Sequence, residues 1–314
     1  MISRAIGLAL GVLADQAFGD PRRHHPVAWF GTWANAVEER CYADDRARGG
    51  ALVVASVAPV AAAALALEVG TRRRPLLRIA ATAVTTWAVL GARSLAREGG
   101  AMAARLDAND LAGARGRLGN LCGRDPDQLD GPELARAAVE SMAENTADAA
   151  VASLFWGALA GIPGMVTHRC LNTLDAMVGH RNARYGRFGT AAARLDDAAD
   201  WLPARITGAL ACLLAPTVGG NSRRAWRVML RDASLHPSPN GGWCEAAWAG
   251  ALGVQLGGRN VYANRVEERG LLGDGPRPDA AALRKGAGLV TSVTVAATAA
   301  AVGGLVASAA RRNK

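Results

Sequence analysis

The sequence predicts an all-α fold, that of a polytopic membrane protein whose middle region is polar, helical and rich in motifs. Apolar runs long enough to cross a bilayer, which takes about 20 residues, lie toward the two ends of the chain. No stretch shows the valine- and isoleucine-rich alternation that is typical of half-buried strands. Half of the 314 residues are apolar, yet the mean hydropathy is only +0.09, so a substantial polar part accompanies the apolar runs.

Six apolar segments are candidate helices of a single membrane-integral helical domain, residues 1–314. The clearest are 51–69, which is uncharged up to Glu68, and 286–310, which carries no charge. We do not interpret the first segment as a signal peptide, because no clear cleavage motif follows it. The fourth and fifth contain or adjoin Gly and Pro and could each be a span, a re-entrant hairpin or a buried helix. We expect three to five spans among the segments near 1–19, 51–69, 76–95, 149–166, 204–219 and 286–310.

Composition and cysteine content exclude several classes of protein. The formal charge is +9 and only two of the 36 basic residues are lysine, which reflects an arginine-rich composition. No basic stripe interleaved with aromatic residues is visible, so we expect no nucleic-acid partner. The five cysteines form no C-x-x-C pair, which argues against a disulfide framework and a cysteine-based zinc site.

An acidic ladder precedes the fourth apolar segment. Glu140, Glu144 and Asp148 recur every four residues, so a helix would place them on one face. Like charges repel there, and a divalent cation bound to their oxygens would remove the repulsion. The alternative is a solvated helix face with Arg136 as ion-pair partner of Glu140. We expect Glu140, one turn further from the apolar segment, to lie outside the direct ligands of the ion or in solvent.

A second acidic cluster, Asp196, Asp197 and Asp200, forms D-D-x-x-D. On a helix, Asp196 and Asp200 share a face. Two acidic clusters that adjoin apolar segments indicate Mg²⁺ held between carboxylates and substrate phosphates. An acidic bias at the start of a helix that Pro203 opens explains one such cluster better than two.

A third motif combines amides, an acid and a cationic loop. Asn172 and Asp175 would be neighbours on a helix that ends at Gly179. The loop that follows contains His180, Arg181, Asn182, Arg184 and Arg187. Its guanidinium groups suit phosphate oxygens, although a basic loop that touches anionic lipid remains the alternative.

Two further motifs are irregular. Residues 19–31 contain Pro21 and Pro26 around two adjacent histidines, of which His25 is a candidate proton-transfer group. In the other, 236–258, a turn through Asn240 leads into a helix that begins near Trp243, and its backbone N–H groups could face an anion.

Taken together, these motifs resemble the adenosylcobinamide-phosphate synthase (cobinamide synthase) family of cobalamin biosynthesis. The similarity covers residues 15–262 and rests on six motifs in the family's order: GDPRRHHPV, ESMAENTADA, GIPG, NTLDAMVGHRNARYGRFG, ARLDDAADWLPAR and SPNGGW with LGVQLGG. The resemblance implies ATP-dependent amide-bond formation between adenosylcobyric acid and aminopropanol or its O-phosphate. It implies Mg²⁺ and ATP, a corrinoid substrate and membrane lipid as partners, and it leaves a homo-oligomer open.

The resemblance and the residue chemistry together give a set of candidate site residues. Catalytic loops are expected at 19–31, 140–148, 168–203 and 236–262. His25, Asp175 and Glu144 are the candidates for catalysis. The candidate metal ligands are Glu144, Asp148, Asp196, Asp197 and Asp200. The candidates for binding substrate or phosphate are Asn145, Asn172, His180, Arg181, Asn182, Arg184, Arg205 and Asn240.

One alternative function and the location complete the sequence-based expectations. D-D-x-x-D near membrane helices also resembles membrane prenyltransferases that hold a Mg²⁺-diphosphate, although the other motifs are then unexplained. If ATP is used, as the resemblance implies, the active site must face the cytoplasm. We therefore expect a multi-pass protein of the inner cell membrane in that orientation. The positive-inside rule supports this for 20–50 and 96–203 but not for Arg72, Arg73 and Arg74.

Overall fold

The computed structural model describes residues 1–21, 25–180, 182–262 and 265–312, which are mostly helical. The chain forms two compact units. The first comprises Met1–Gly91, Asp148–Asp200 and Ala297–Lys314, and the second comprises Ala92–Ala147 and Trp201–Ala296. The single domain expected from the sequence stays a prediction.

The helices follow one another along almost the whole chain. The first seven are α1 (Ile2–Phe18), α2 (Pro26–Cys41), α3 (Arg46–Thr71), α4 (Pro75–Val89), α5 (Ala92–Asp107), α6 (Leu111–Leu118) and α7 (Gly131–Thr146). A π-helical turn at Ala147–Val151 leads into α8 (Ala152–Val178), α9 (Thr190–Leu214), α10 (Ser222–Asp232), α11 (Gly241–Leu252) and α12 (Ala280–Arg312). Short 3₁₀ turns lie at Ala215–Val218 and Ala233–Leu235.

Five helical segments are long and apolar enough to cross a membrane. They are Arg46–Thr71, Pro75–Asp107, Gly131–Val178, Thr190–Val218 and Ala280–Arg312. This confirms the predicted helical, polytopic membrane fold. The first apolar segment of the sequence forms α1, whose 17 residues are not among the five.

A β-hairpin in the second unit was missed by the sequence analysis. Strands β1 (Leu256–Tyr262) and β2 (Arg265–Leu272) pair antiparallel, with an irregular register between Leu256 and Gly258. Gly257 and Gly258 both have positive φ, a conformation that glycine adopts without strain. The two adjacent glycines of β1 carry no side chains, so the strand lacks the alternation of apolar and polar side chains by which strands are recognised in a sequence.

Pro203 lies inside α9 and does not open a helix as expected. A proline inside a helix has no N–H to donate to the carbonyl four residues earlier. Here that carbonyl belongs to Ala199, which accepts a hydrogen bond from Trp156 Nε1 at 3.2 Å. A side chain of α8 thereby supplies the missing donor.

The charges inside the apolar segments of the first unit pair with one another. Glu68 of α3, 9% exposed, forms ion pairs with Arg4, at 3.0 Å, and with Arg78 of α4. It also accepts a hydrogen bond from Ile162 N at 3.2 Å, next to Gly161. Polar groups in a membrane segment are costly unless they find such partners. This one carboxylate therefore links four helices of the unit.

The core of the first unit is built where α2, α3 and α8 meet. It includes Phe30, Leu52, Val57, Leu174 and Phe188, all buried.

The chain has five cysteines, and all of them are free, as expected.

In the second unit, Glu140 is buried and paired, so a position in solvent is wrong, whereas the suggested ion pair with Arg136 is confirmed. It forms ion pairs with Arg124 and with Arg136 at 3.1 Å, and it accepts Gly257 N–H at 2.7 Å. Arg136 in turn donates to Asn260 Oδ1 at 2.7 Å. The network holds β1 against α7.

Gly161→Ala should destabilise the first unit. Gly161 has φ +73°, and an added Cβ would lie 2.5 Å from Arg4 Nη2 and 2.7 Å from Glu68 Oε2. Gly70→Ala is the matched control, because nothing lies within 4 Å of its added Cβ. We expect a clear fall in melting temperature in detergent for Gly161→Ala alone. Equal melting temperatures for the two variants would contradict the packing described for Gly161.

Asp232→Asn should destabilise the second unit. Asp232 accepts hydrogen bonds from Arg231, at 2.6 and 2.8 Å, and from Gly273 N at 2.8 Å. Burial raises the pKa of Asp232, but the hydrogen-bond donors lower it by more than burial raises it. The pKa therefore lies below its ordinary value. Losing charge-assisted hydrogen bonds costs about 1.5–3 kcal/mol. Asp274→Asn, at an exposed ion pair with the same arginine, should cost less than about 1 kcal/mol.

The stabilisation by Asp232 should also depend on pH. Its carboxylate is ionised in the folded protein at pH values where the unfolded chain already binds a proton. The contribution of Asp232 to the free energy of unfolding is therefore complete above the ordinary carboxyl pKa of the unfolded chain. It is lost as the pH falls through the lowered pKa of the folded protein. Melting curves of wild type and Asp232→Asn should converge at acidic pH, and a constant difference would count against this.

Candidate metal and phosphate site

A buried cluster of one histidine and two carboxylates lies in the first unit. Asp196 and Asp200, one turn apart on α9, face His168 of α8. His168 Nε2 lies 2.8 Å from Asp200 Oδ1, with side-chain exposures of 1% and 3%. One ligand atom from each residue lies within 4.8 Å of the other two. The geometry is that of a candidate site for a cation.

Several carboxylates lie near one arginine at this cluster. Arg169, which follows His168 on α8, lies within electrostatic reach of Asp148, Asp20, Asp200 and Asp196. Neighbouring carboxylates repel one another when both are ionised, and a bound cation relieves that repulsion. Carboxylate oxygens are the ligands that Mg²⁺ prefers.

Buried polar atoms in this cluster lack hydrogen-bond partners among the described residues. They are Asp196 Oδ1, Asp200 Oδ2 and His168 Nδ1. Buried polar atoms in folded proteins are almost always paired, and an exception often indicates a ligand or ion. A divalent cation therefore fits this donor set, in which the oxygen ligands would be Asp196 and Asp200.

Other predicted residues surround the cluster. Asn172 accepts a hydrogen bond from Arg169 Nη1 at 3.1 Å and bonds to Asp196. Asp175 lies within electrostatic reach of Asp197, Asp200 and His180. The first unit thus brings together all of the predicted metal ligands except Glu144. Asn172 and Asp175, the two side chains predicted near the end of α8, lie beside them.

His25 stands at the start of α2, in an open cleft of about 610 Å³. Its Nδ1 accepts a hydrogen bond from Val27 N at 3.2 Å and caps the helix. The neutral ring therefore carries its proton on Nε2. Burial lowers the pKa of His25, with Asp20 opposing and Arg169 reinforcing this effect. The ring is thus neutral at pH 7 and presents an N–H donor in this geometry.

The cationic loop after α8 packs on α2. Arg184 Nη2 donates to Glu38 at 2.9 Å, and its guanidinium stacks 4.3 Å from the Tyr42 ring. Asn182 Oδ1 accepts Tyr185 N–H at 2.8 Å and so shapes the turn. Arg181 lies outside the described residues. Phosphate binding by this loop stays a prediction.

Glu144 belongs to the second unit, whereas Asp148 and the D-D-x-x-D carboxylates belong to the first. Its neighbours are His236 and Glu245, which form with it the other cluster of potential ligands in the described residues. Arg269 Nη1 lies 3.1 Å from His236 Nε2 and 3.7 Å from Glu245 Oε1. Burial lowers the pKa of His236, but Glu245 and Glu144 raise it above its ordinary value. Both oxygens of Glu245 are buried without hydrogen-bond partners among the described residues. Arg269 nevertheless supplies a cation to this cluster, and a metal ion there would be repelled by it, so the cluster suits a metal ion less well.

The remaining predicted residues also lie in the second unit. Asn145 Nδ2 donates to Ser141 O at 2.9 Å, within its own helix. The Arg205 guanidinium stacks on Trp201 and Trp243, at 4.1 and 4.9 Å, and donates to Asn240 Oδ1 at 3.3 Å. Asn240 is the N-cap residue of α11, close to the predicted helix start.

Sequence reasoning missed His168, Arg169, His236 and Glu245. The spacing of residues along α8 could have revealed His168. His168, Asn172 and Asp175 are spaced four and three residues apart, so they share one face of a helix. For His236 and Glu245, no comparable spacing relates them to Glu144.

These features define a class: a helical, multi-pass membrane protein with a buried, carboxylate-rich candidate site. The CobD/Cbib protein family matches residues 8–290. The chain is 48% identical over 301 residues to "Cobalamin biosynthesis protein CobD" of Mycobacterium tuberculosis (strain ATCC 25618 / H37Rv), covering 96% of this chain and 95% of that protein. Identity to the proteins of the same name is 44% in Geobacter metallireducens and 42% in Rhodobacter capsulatus (strain ATCC BAA-309). These cover 87% and 90% of this chain, and 88% and 90% of the two relatives.

The chain belongs to the CobD/Cbib family. No solved structure matches it. Membership supports a role in cobalamin biosynthesis, as the motifs of the sequence indicated.

Asp200→Asn should weaken the binding of a divalent cation in the first unit. Mg²⁺ at 100 times its Kd stabilises a folded protein by about 2.7 kcal/mol, which raises the melting temperature. We expect this rise in wild type and in Asp44→Asn, whose carboxylate is 55% exposed. In Asp200→Asn the rise should be largely lost. If Asp200→Asn retains the full Mg²⁺-dependent rise, Asp200 is not a ligand.

Proposed function

We propose that the chain is an ATP-dependent amide ligase. It joins adenosylcobyric acid, a corrinoid, to aminopropanol or its O-phosphate. A corrinoid propionate carboxylate attacks the γ-phosphorus of ATP, giving an acyl phosphate and ADP. The amine then attacks the acyl carbon, phosphate leaves, and the nitrogen loses its proton. Family membership supports a corrinoid as substrate.

The observation that carries the phosphoryl-transfer step is the carboxylate cluster of the first unit, in which Asp200 is buried and the others are half-buried. Asp148, Asp196, Asp197 and Asp200 would hold the cation, and Mg²⁺ when bound would neutralise charge on the nucleotide phosphates. Arg169, beside these carboxylates, would contact the transferred phosphoryl group through its planar fork of N–H donors. Both elements are typical of sites that transfer phosphoryl groups mainly by positioning and electrostatics.

The amine must be neutral when it attacks, so a group has to accept its proton. Asp175 is a candidate, because it adjoins the carboxylate cluster and lies at the end of α8. His25 has a lowered pKa and faces the open cleft. As a proton acceptor it would have to release the Val27 N–H, because Nδ1 is the nitrogen of this neutral ring that can accept a proton. Glu144 stays a third candidate, in the second unit.

A phosphorylated amine would need a second anion site. The loop of His180, Arg181, Asn182 and Arg184 would supply it, since arginine side chains suit bidentate contact with phosphate. Arg205 and Asn240, at the start of α11, form the alternative place for a phosphate. Because ATP is a cytoplasmic substrate, we propose that the site faces the cytoplasm from the inner membrane.

The membrane prenyltransferase alternative rests on D-D-x-x-D alone. Nothing in that alternative accounts for the similarity to cobalamin-biosynthesis proteins along most of the chain. The amide ligase is therefore the better-supported function.

The purified protein in detergent should convert adenosylcobyric acid, ATP and the amine into a corrinoid with one further amide. Mass spectrometry of the corrinoid and a coupled assay of ADP would measure the reaction. Asp148→Asn and Asp197→Asn should lower the rate on the order of 100-fold, whereas the exposed Asp44→Asn should not. Turnover of an isoprenoid diphosphate with no corrinoid product would show that the proposal is wrong.

A further inference from the structure

We propose that His168 is a direct ligand of the cation in the first unit, so that the site binds Mn²⁺ more tightly than Mg²⁺. The inference rests on the proposed function in one respect, because it takes the carboxylate cluster to be the cation site. It does not depend on which reaction the cation serves.

The geometry of His168 and Asp200 matches two neighbouring ligands of one ion. Ligands at about 2.1 Å in octahedral geometry lie about 3 Å from each other. His168 Nε2 and Asp200 Oδ1 are 2.8 Å apart, and an oxygen of Asp196 lies within 4.8 Å of both residues' ligand atoms.

Unpaired buried atoms give independent support. His168 and Asp200 are each 2% exposed. A hydrogen bond between them accounts for one atom on each side, yet Asp200 Oδ2, Asp196 Oδ1 and His168 Nδ1 still lack hydrogen-bond partners in the described chain. A cation bound to His168 Nε2 would replace the hydrogen bond to Asp200 and would take up oxygens of Asp200 and Asp196. His168 Nδ1 would then carry the proton of the neutral ring.

The choice of ion follows from the nitrogen donor. Mg²⁺ prefers an all-oxygen set and sheds its bound water reluctantly. An imidazole ligand raises affinity for first-row transition metals, and Mn²⁺ accepts carboxylate oxygens as readily as Mg²⁺ does. A histidine between two aspartates therefore favours Mn²⁺.

The His236 cluster of the second unit provides a contrast. There a guanidinium nitrogen of Arg269 lies 3.1 Å from His236 Nε2, so that ring already faces a cation. Arg169 lies next to His168 in sequence, but no contact between their side chains resembles this one in the described residues. His236→Gln is therefore the matched control.

Pulsed electron paramagnetic resonance of the full-length protein in detergent would test the proposal, with Mn²⁺ alone as probe. Bound Mn²⁺ should show modulation from a directly coordinated ¹⁴N. His168→Gln should abolish this modulation and weaken Mn²⁺ binding about tenfold or more, with a smaller effect on Mg²⁺ measured by competition. His236→Gln should retain the modulation.

A second measurement needs no variant and so does not depend on His168→Gln folding. Wild-type protein labelled with ¹⁵N-histidine should show the ¹⁵N pattern in place of the ¹⁴N pattern. Bound Mn²⁺ without nitrogen coupling in wild type, or coupling that persists in His168→Gln, would overturn the proposal. Nitrogen coupling without ligase activity would refute only the proposed function, and activity without coupling would refute only this inference.

Discussion

Glu140 illustrates the constraint on which the rest of this structure depends: a buried charge must be paired. In the second unit its carboxylate binds Arg124, Arg136 and the Gly257 N–H. Removing one partner of such a buried pair typically costs about 3–5 kcal/mol. The pairing therefore fixes where α7 and β1 meet, and it commits Glu140 to structure although it belongs to the acidic ladder.

The same constraint organises the apolar helices of the first unit. Glu68 and Arg78, the isolated charges of two apolar segments, pair with each other, and Glu68 also pairs with Arg4. Where a backbone group loses its helical partner, as Ala199 O does at Pro203, a side chain replaces it. An exception lies at the candidate cation site of the first unit, where Asp196 Oδ1 and Asp200 Oδ2 are buried without hydrogen-bond partners among the described residues.

This candidate cation site is the feature of the fold that indicates a chemical role. Carboxylates held close together by packed helices favour a cation, and a cation with an adjacent arginine favours a phosphate ligand. The second cluster, with Glu144, has Arg269 close to His236 and Glu245. The two clusters contain similar residue types, and the arginine beside His236 makes the second cluster the less suited to a metal ion.

The sequence by itself determined the helical membrane class, because apolar length and the absence of alternation are local properties. It also located D-D-x-x-D and the Asn172–Asp175 face, whose spacing is read within one helix. It also suggested the ion pair between Arg136 and Glu140. It could not identify the hairpin at Gly257, the pairing of Glu140 with Arg124 and the Gly257 N–H, or the ring of His168 beside Asp200. Those depend on which distant segments meet, and burial, which turns a charge from a solvated group into one that needs a partner, is decided only by the tertiary structure.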